Sequence, residues 1–185
     1  MKFADLSSAF EKIVNEFELP DYLKEICSNI AGTTISREKI DEILLNYNVN
    51  YSIAKIDFLH LIFDYIKIAL EDGILTNLEK ENIKFLKAWF RIQPGDFYFQ
   101  DKGDIEKIIT YQLSKIYQDD FVTEEEALLK VDLQEIFDLS YDQINDYSKI
   151  EAATSIRQGA DPKNLDIVFT YNEYSKLKPD NNEMT

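Results

Sequence analysis

The sequence predicts an all-α protein: a single globular domain of about eight or nine helices, built around a pseudo-twofold pair of helix–turn–helix units. Three observations carry this expectation. Five Gly and four Pro in 185 residues leave too little punctuation for a many-turned β fold. Long stretches rich in Leu, Ile, Lys, Glu and Asn hold their apolar residues at helical spacing. Most tellingly, the chain repeats itself at an offset of 47 residues, so that Asp72 falls on Asp119, Thr76 on Thr123, Glu79 on Glu126, Leu86 on Leu133 and Phe90 on Phe137. Apolar character persists upstream at Phe58/Ile105, Ile62/Ile109 and Ile66/Leu113, and downstream at Trp89/Ile136, Ile92/Leu139 and Phe97/Ile144. A pattern that runs from helix through turn into the next helix marks a supersecondary unit.

In chain order, Phe10, Ile13, Val14 and Phe17 predict a first helix started by Ser7 or Ser8 and stopped before Pro20. Pro20-Asp21 opens a second, through Tyr22, Ile26 and Ile30, that Gly32 closes. Ser36 caps a third, with Ile40, Ile43 and Leu44. From about Ser52 to Leu70 the helix of Ile56, Leu59, Phe63, Ile66 and Leu70 is apolar around much of its circumference, which predicts a central, buried helix. An acidic turn and a helix from Asn77 to about Phe90 complete the first copy, 57–97. After Pro94-Gly95 the second copy, 104–144, gives a helix from Asp104 to Gln118, a second acidic turn, and a helix from Glu124 to Phe137. Ser140 with Gln143 forms a capping box for a helix to Arg157, with Gly159 at the left-handed stop. Asp161-Pro162 begins a last element, read as helix although Ile167–Tyr171 has strand propensity as well. The expected organisation is thus an N-terminal helical extension (1–50) packed on a repeat core (51–160), a C-terminal element (161–178) and a disordered polar tail (179–185). The core should contain Phe58, Ile62, Ile66, Leu86, Trp89, Phe90, Ile105, Ile109, Leu113, Leu133, Ile136 and Phe137.

Composition narrows the function. A net charge of −15 argues against binding nucleic acid through its phosphates and against docking on an anionic bilayer; it suits cations or a basic protein partner. A lone Cys27 permits no internal disulfide, the N-terminus has no apolar core of a leader, and no apolar run reaches spanning length. The cytoplasm is the expected location.

The acidic turns admit two readings. Asp72, Gly73, Leu75 and Glu79 match the second half of an EF-hand loop, but Ile68 and Leu70 stand where its first ligands belong, and Lys115 and Tyr117 in the second copy. Neither turn can be an autonomous calcium loop, which takes six or more oxygens. A divalent cation such as calcium would need a site shared by Asp72, Glu79, Asp119 and Glu126. The competing reading is capping: Thr76-x-x-Glu79 and Thr123-x-x-Glu126 are capping boxes that explain Thr and Glu without any ligand. Asp72 and Asp119 are less explained by capping and are the better ligand candidates.

From Asp119 to Glu151 eleven acids face only Lys130 and Lys149. The matching helix of the first copy instead carries Lys80, Lys84, Lys87 and Arg91. The plain reading is a solvated face; the sharper one is a docking surface of Glu135, Asp138, Asp142 and Asp146, with Tyr141 and Tyr147 as aromatic anchors. His60 stands alone on an apolar helix and reads as a core or rim residue, and Cys27 reads as buried. No phosphate loop, nucleophile elbow or HExxH signature is present, so the chain is not expected to be an enzyme.

The doubled unit, a long apolar helix followed by Asp-Gly-x-Leu-Thr-x-x-Glu and an amphipathic helix, resembles the TerB-like family named for tellurite resistance. The likeness covers about Asp57 to Arg157 and rests on Asp72, Gly73, Thr76 and Glu79, then Asp119, Thr123 and Glu126, with Asp120 in place of the second glycine. The resemblance implies an acidic, all-helical, pseudo-twofold domain of a stress response, with a divalent cation held by acidic residues. Two roles follow as expectations. The first is a non-enzymatic cytoplasmic protein that engages a protein partner in stress response or defence. The second, drawn from the acid excess between Asp119 and Glu151 and the net charge of −15 rather than from the resemblance, is an immunity protein that covers the basic active site of a toxin.

Overall fold

The computed structural model describes residues 5–177, apart from the side chain of Asp101. The expected tail from Pro179 lies outside the described residues. The structure is all-α: among the described residues there are nine α-helices, one turn of 3-10 helix and no strand. The chain divides into two compact units, 1–100 and 101–185, and the division falls within a helix. Copy 57–97 lies in the first unit and copy 104–144 in the second.

The first unit contains α1 (Leu6–Glu16), α2 (Asp21–Ala31), α3 (Arg37–Asn46), α4 (Tyr51–Ala69), α5 (Asn77–Trp89) and the start of α6 (Asp96–Ile116). Asp5, rather than Ser7 or Ser8, caps α1 by accepting the Ser7 amide; Ser7 instead donates its hydroxyl to the Ala31 carbonyl of α2 at 2.7 Å. Phe10, Phe58, Ile62, Tyr65, Ile66, Leu86 and Phe90 are fully buried. The Phe58 and Phe90 rings stack with centroids 4.2 Å apart, and Phe63 meets Phe97 edge-on at 5.0 Å. Hydroxyl bonds tie the helices at their rims: Tyr22 donates to Asp57, and Tyr51 to the Phe90 carbonyl.

The second unit holds the rest of α6, then α7 (Glu124–Ile136), α8 (Tyr141–Gln158), the 3-10 turn Pro162–Asn164 and a short α9 (Tyr171–Ser175). Ile105, Ile109, Leu113, Leu133, Phe137 and Leu165 are fully buried. Ser155 donates its hydroxyl to the Tyr117 carbonyl at 2.7 Å, and the Val122 amide donates to the Asn164 carbonyl at 2.8 Å, which holds the segment after α8 against the second acidic turn.

Four expectations need correction. Helix α6 begins at Asp96, not Asp104: Asp96 accepts the Gln93 amide at 2.6 Å, and Gly103 is carried inside the helix at the modest cost that a helical glycine imposes. Trp89 is only half-buried, with its ring stacked against the exposed Phe85 at 6.1 Å on the outer side of α5. On α4, Ile56 is 40% exposed rather than buried, while His60, expected at the core or its rim, is exposed. The last element is not one helix. Leu165 is buried, but Val168 and Tyr171 are exposed, and helix resumes only at Tyr171.

The repeat is written in backbone geometry. Gly73 and its counterpart Asp120 both have positive φ, +77° and +63°, and so do Arg91 and its counterpart Asp138, +48° and +52°. Helices α5 and α7 end with the same bond: Ile92 N–H to the Lys87 carbonyl at 2.8 Å, and Leu139 N–H to the Gln134 carbonyl at 2.9 Å. The left-handed positions make a paired prediction. Gly73→Ala should cost about 1 kcal/mol although its Cβ would meet nothing within 4 Å, and Asp120→Gly should offset part of that strain in the second copy. Urea unfolding of the two variants reads both signs.

Candidate functional site

The acidic turns are built first as helix starts. In the first copy the Thr76 amide and hydroxyl donate to Glu79 Oε2 at 2.8 and 2.7 Å, and the Glu79 amide donates back to the Thr76 hydroxyl at 3.3 Å. In the second, Thr123 donates to Glu126 Oε2 at 2.8 and 2.9 Å, and Glu126 returns the bond at 3.2 Å. Glu79 is buried and Glu126 half-buried. Asp72 and Asp119 are exposed and serve their own turns: Asp72 Oδ1 accepts the Ile74 amide at 3.0 Å, and Asp119 Oδ1 the Phe121 amide at 3.2 Å. All four proposed ligands thus have a structural use that requires no metal. Among the described residues no three acidic, His or Cys side chains come together as a metal ion would need. Because one oxygen of each glutamate is taken by amide and hydroxyl donors and no third ligand group stands nearby among the described residues, millimolar calcium should leave Tm unchanged, and Asp72→Asn with Asp119→Asn should not alter that. A calcium-dependent rise in Tm that the double variant loses would contradict the capping account.

A third member of this series escapes a reading based on two copies. Thr170 and Glu173 stand 47 residues beyond Thr123 and Glu126, and they form the same capping box at the start of α9, with the Thr170 amide donating to Glu173 Oε2 at 2.7 Å. The signal was in the sequence as a third Thr-x-x-Glu at constant spacing. Glu173 also accepts from Lys149 of α8 at 2.8 Å. The Lys149 hydrogen bond first, then the Thr170 donors, hold the Glu173 carboxyl down at about 2. A carboxyl held below its ordinary 4.5 stabilises the fold above that pH, and the contribution fades as pH falls toward 2. The docking of α9 on α8 should therefore weaken between about pH 4.5 and 2. Amide exchange at Tyr174–Leu177 measures it, and Glu173→Gln should show that weakened docking already at neutral pH.

The second unit has a groove between α7 and α8, closed on one side by Asp166 and Ile167. Its cavity of about 240 Å³ is lined by Ala127, Lys130, Val131, Gln134, Tyr141 and Ile144, among others. Two of its lining side chains are exposed apolar groups, Val131 at 57% and Tyr141 at 70%, and Leu128, one turn from Val131, is 64% exposed. Glu124, Leu128, Val131 and Glu135 recur at helical spacing on one face of α7. Glu135, Asp138, Asp142 and Asp146 are all exposed. Asp138 has a second task, since it occupies the left-handed position that closes α7. Tyr147 differs from Tyr141: it is half-buried, and its hydroxyl donates to Glu106 at 3.0 Å, which ties α8 to α6. Lys130 enters this acidic surroundings without weakening it. Its side chain is 12% exposed and its ammonium reaches Asp166 at 2.6 Å, with the Asp166 carbonyl at 3.1 Å. Sequence spacing gave no hint of that pair.

Cys27 is buried, as expected. Burial pushes its thiol up to about 12, far from the reactive thiolate range. No helix of the described residues is long and apolar enough to cross a membrane.

Compared with known proteins, the chain matches no family model, no curated protein and no solved structure.

Proposed function

We propose that this chain is a non-enzymatic binding protein that engages a basic protein partner through the α7–α8 groove, in the stress or defence setting that the TerB-like resemblance implies. The observation that carries the reading is the pairing of exposed apolar residues with acids on one surface. Val131 and Tyr141 line a groove, the exposed Leu128 stands one turn from Val131 on α7, and the exposed acids Glu124, Glu135, Asp142 and Asp146 are carried by the same two helices. Scattered exposed apolar residues are ordinary, whereas apolar groups beside a groove, on helices that also carry many exposed acids, suit an interface. The acids would steer a cationic partner, and the ring of Tyr141 would anchor it.

Affinity capture from the native host tests this with two baits, the natural chain and Glu135→Lys/Asp142→Lys. A basic protein should be held by the natural chain at low salt and released by the reversed variant and by high salt. A partner indifferent to both would contradict the reading. The same exposed acids favour a narrower form of it, an immunity protein that covers a toxin's basic active site. That form predicts in addition that the captured partner is an enzyme or effector, and that the chain inhibits it.

A further inference from the structure

We propose that the other flank of α8 is a binding site for a small amphiphilic anion, an acyl chain ending in a carboxylate. A groove of about 390 Å³ lies between α8 and the C-terminal segment, within the size of ordinary small-molecule sites. Its apolar lining is Ile150, Ala153, Phe169 and Leu177. Beside the neutral Thr154, its charged lining is mainly cationic: Lys149, Arg157 and Lys176, against the single carboxylate of Glu173. It shares no lining residue with the α7–α8 groove.

Charge distribution makes this lining informative. The whole chain carries 35 acids to 20 bases, yet here three cations gather around one acid. Glu173 answers Lys149 at 2.8 Å. Among the described residues Arg157 and Lys176 have no carboxylate partner, although the protein has acids in excess. Arg157 gains something from its place in the last turn of α8, where cations favour the helix dipole; Lys176 follows a helix of only five residues and has little such gain. Two unanswered cations beside four apolar side chains match a ligand with a charged head and an apolar body. The apolar portion would gain about 0.8 kcal/mol for each methylene it buries, and the guanidinium of Arg157 suits a carboxylate's paired oxygens. A neutral alcohol of the same length would keep the first contribution and lose the second.

Calorimetry on the full chain with decanoate, decanol and inorganic phosphate tests the site, with amide shifts at Ala153, Ile150 and Leu177 locating it. Decanoate should bind at one site and shift those amides, about tenfold or more tighter than decanol, with phosphate weaker still. Arg157→Gln with Lys176→Gln should lower decanoate affinity by about tenfold or more and lower Tm by no more than a few degrees, as both side chains are exposed and only Arg157 has a small helix-dipole gain to lose. Ala153→Glu, which places a carboxylate among the apolar lining, should abolish binding; circular dichroism confirms that it folds. No binding at millimolar decanoate, equal affinity for decanol, unchanged binding by the double variant, or amide shifts confined to the α7–α8 groove would each overturn the proposal. Because neither groove shares a residue with the other, loss of this site leaves the partner-binding reading standing, and the reverse.

Discussion

Phe90→Ala should be the most damaging single substitution in the first unit, lowering its stability by about 3–5 kcal/mol. Phe90 closes α5 and is fully buried, with its ring stacked on Phe58 at a centroid separation of 4.2 Å and an interplanar angle of 5°. Truncation removes the apolar contacts of a whole ring and leaves a hole that the helix end and α4 cannot close together. Its carbonyl accepts the Tyr51 hydroxyl, so the same residue ties the start of α4 to the end of α5. Phe90→Leu keeps most of the volume and should cost roughly half as much or less. The repeat supplies an internal control: Phe137, its counterpart and equally buried, should show a loss of the same order in the second unit. Urea unfolding measures both. A loss below about 1 kcal/mol at Phe90 would mean that the aromatic stack is not the core it is taken to be.

The second large effect is on association rather than folding. Glu135→Lys with Asp142→Lys should slow capture of a basic partner by about tenfold or more at low salt, with the difference shrinking as salt screens the surface. Folding should hardly change, and the reason is specific. Glu135 lies in the last turn of α7, where an acid opposes the helix dipole; Asp142 lies in the first turn of α8, where an acid favours it. Reversing both charges exchanges one gain for one loss. Asp138 is left alone because its left-handed backbone, φ +52°, tolerates Asp better than Lys.

What the sequence revealed and what it concealed divide along physical lines. Capping boxes at Thr76, Thr123 and Ser140, and the left-handed Gly159, are local signals, and each stands where the residues indicate. The buried faces of the repeat followed from periodicity, since Phe58, Ile62 and Ile66 recur on one side of α4 just as Ile105, Ile109 and Leu113 do on α6. Positive φ at Arg91 and Asp138 was not legible, because neither is the glycine that normally announces such a helix end. The start of α6 lies earlier than the sequence indicates: the helix begins at Asp96, ahead of the expected Asp104, and runs through Gly103. The long-range ion pairs were beyond any local pattern. Lys130 and Asp166 are 36 residues apart, and Lys149 and Glu173 are 24 apart. The third capping box was written in the spacing but disguised by the strand-like run Ile167–Tyr171 ahead of it. Of the candidate docking residues, charge alone could not separate the exposed ring of Tyr141 from Tyr147, whose hydroxyl is committed to Glu106.

The central claim is that the acidic α7–α8 surface binds a basic partner electrostatically, and the association rate of the captured partner, measured across ionic strength for the natural chain and for Glu135→Lys/Asp142→Lys, tests it most directly. The natural chain should associate fast at low salt and slow steeply as salt rises, while the variant starts slow and changes little. Two chains with the same rate and the same salt dependence would contradict the claim, and would send the search for the partner's docking site to another face of the molecule.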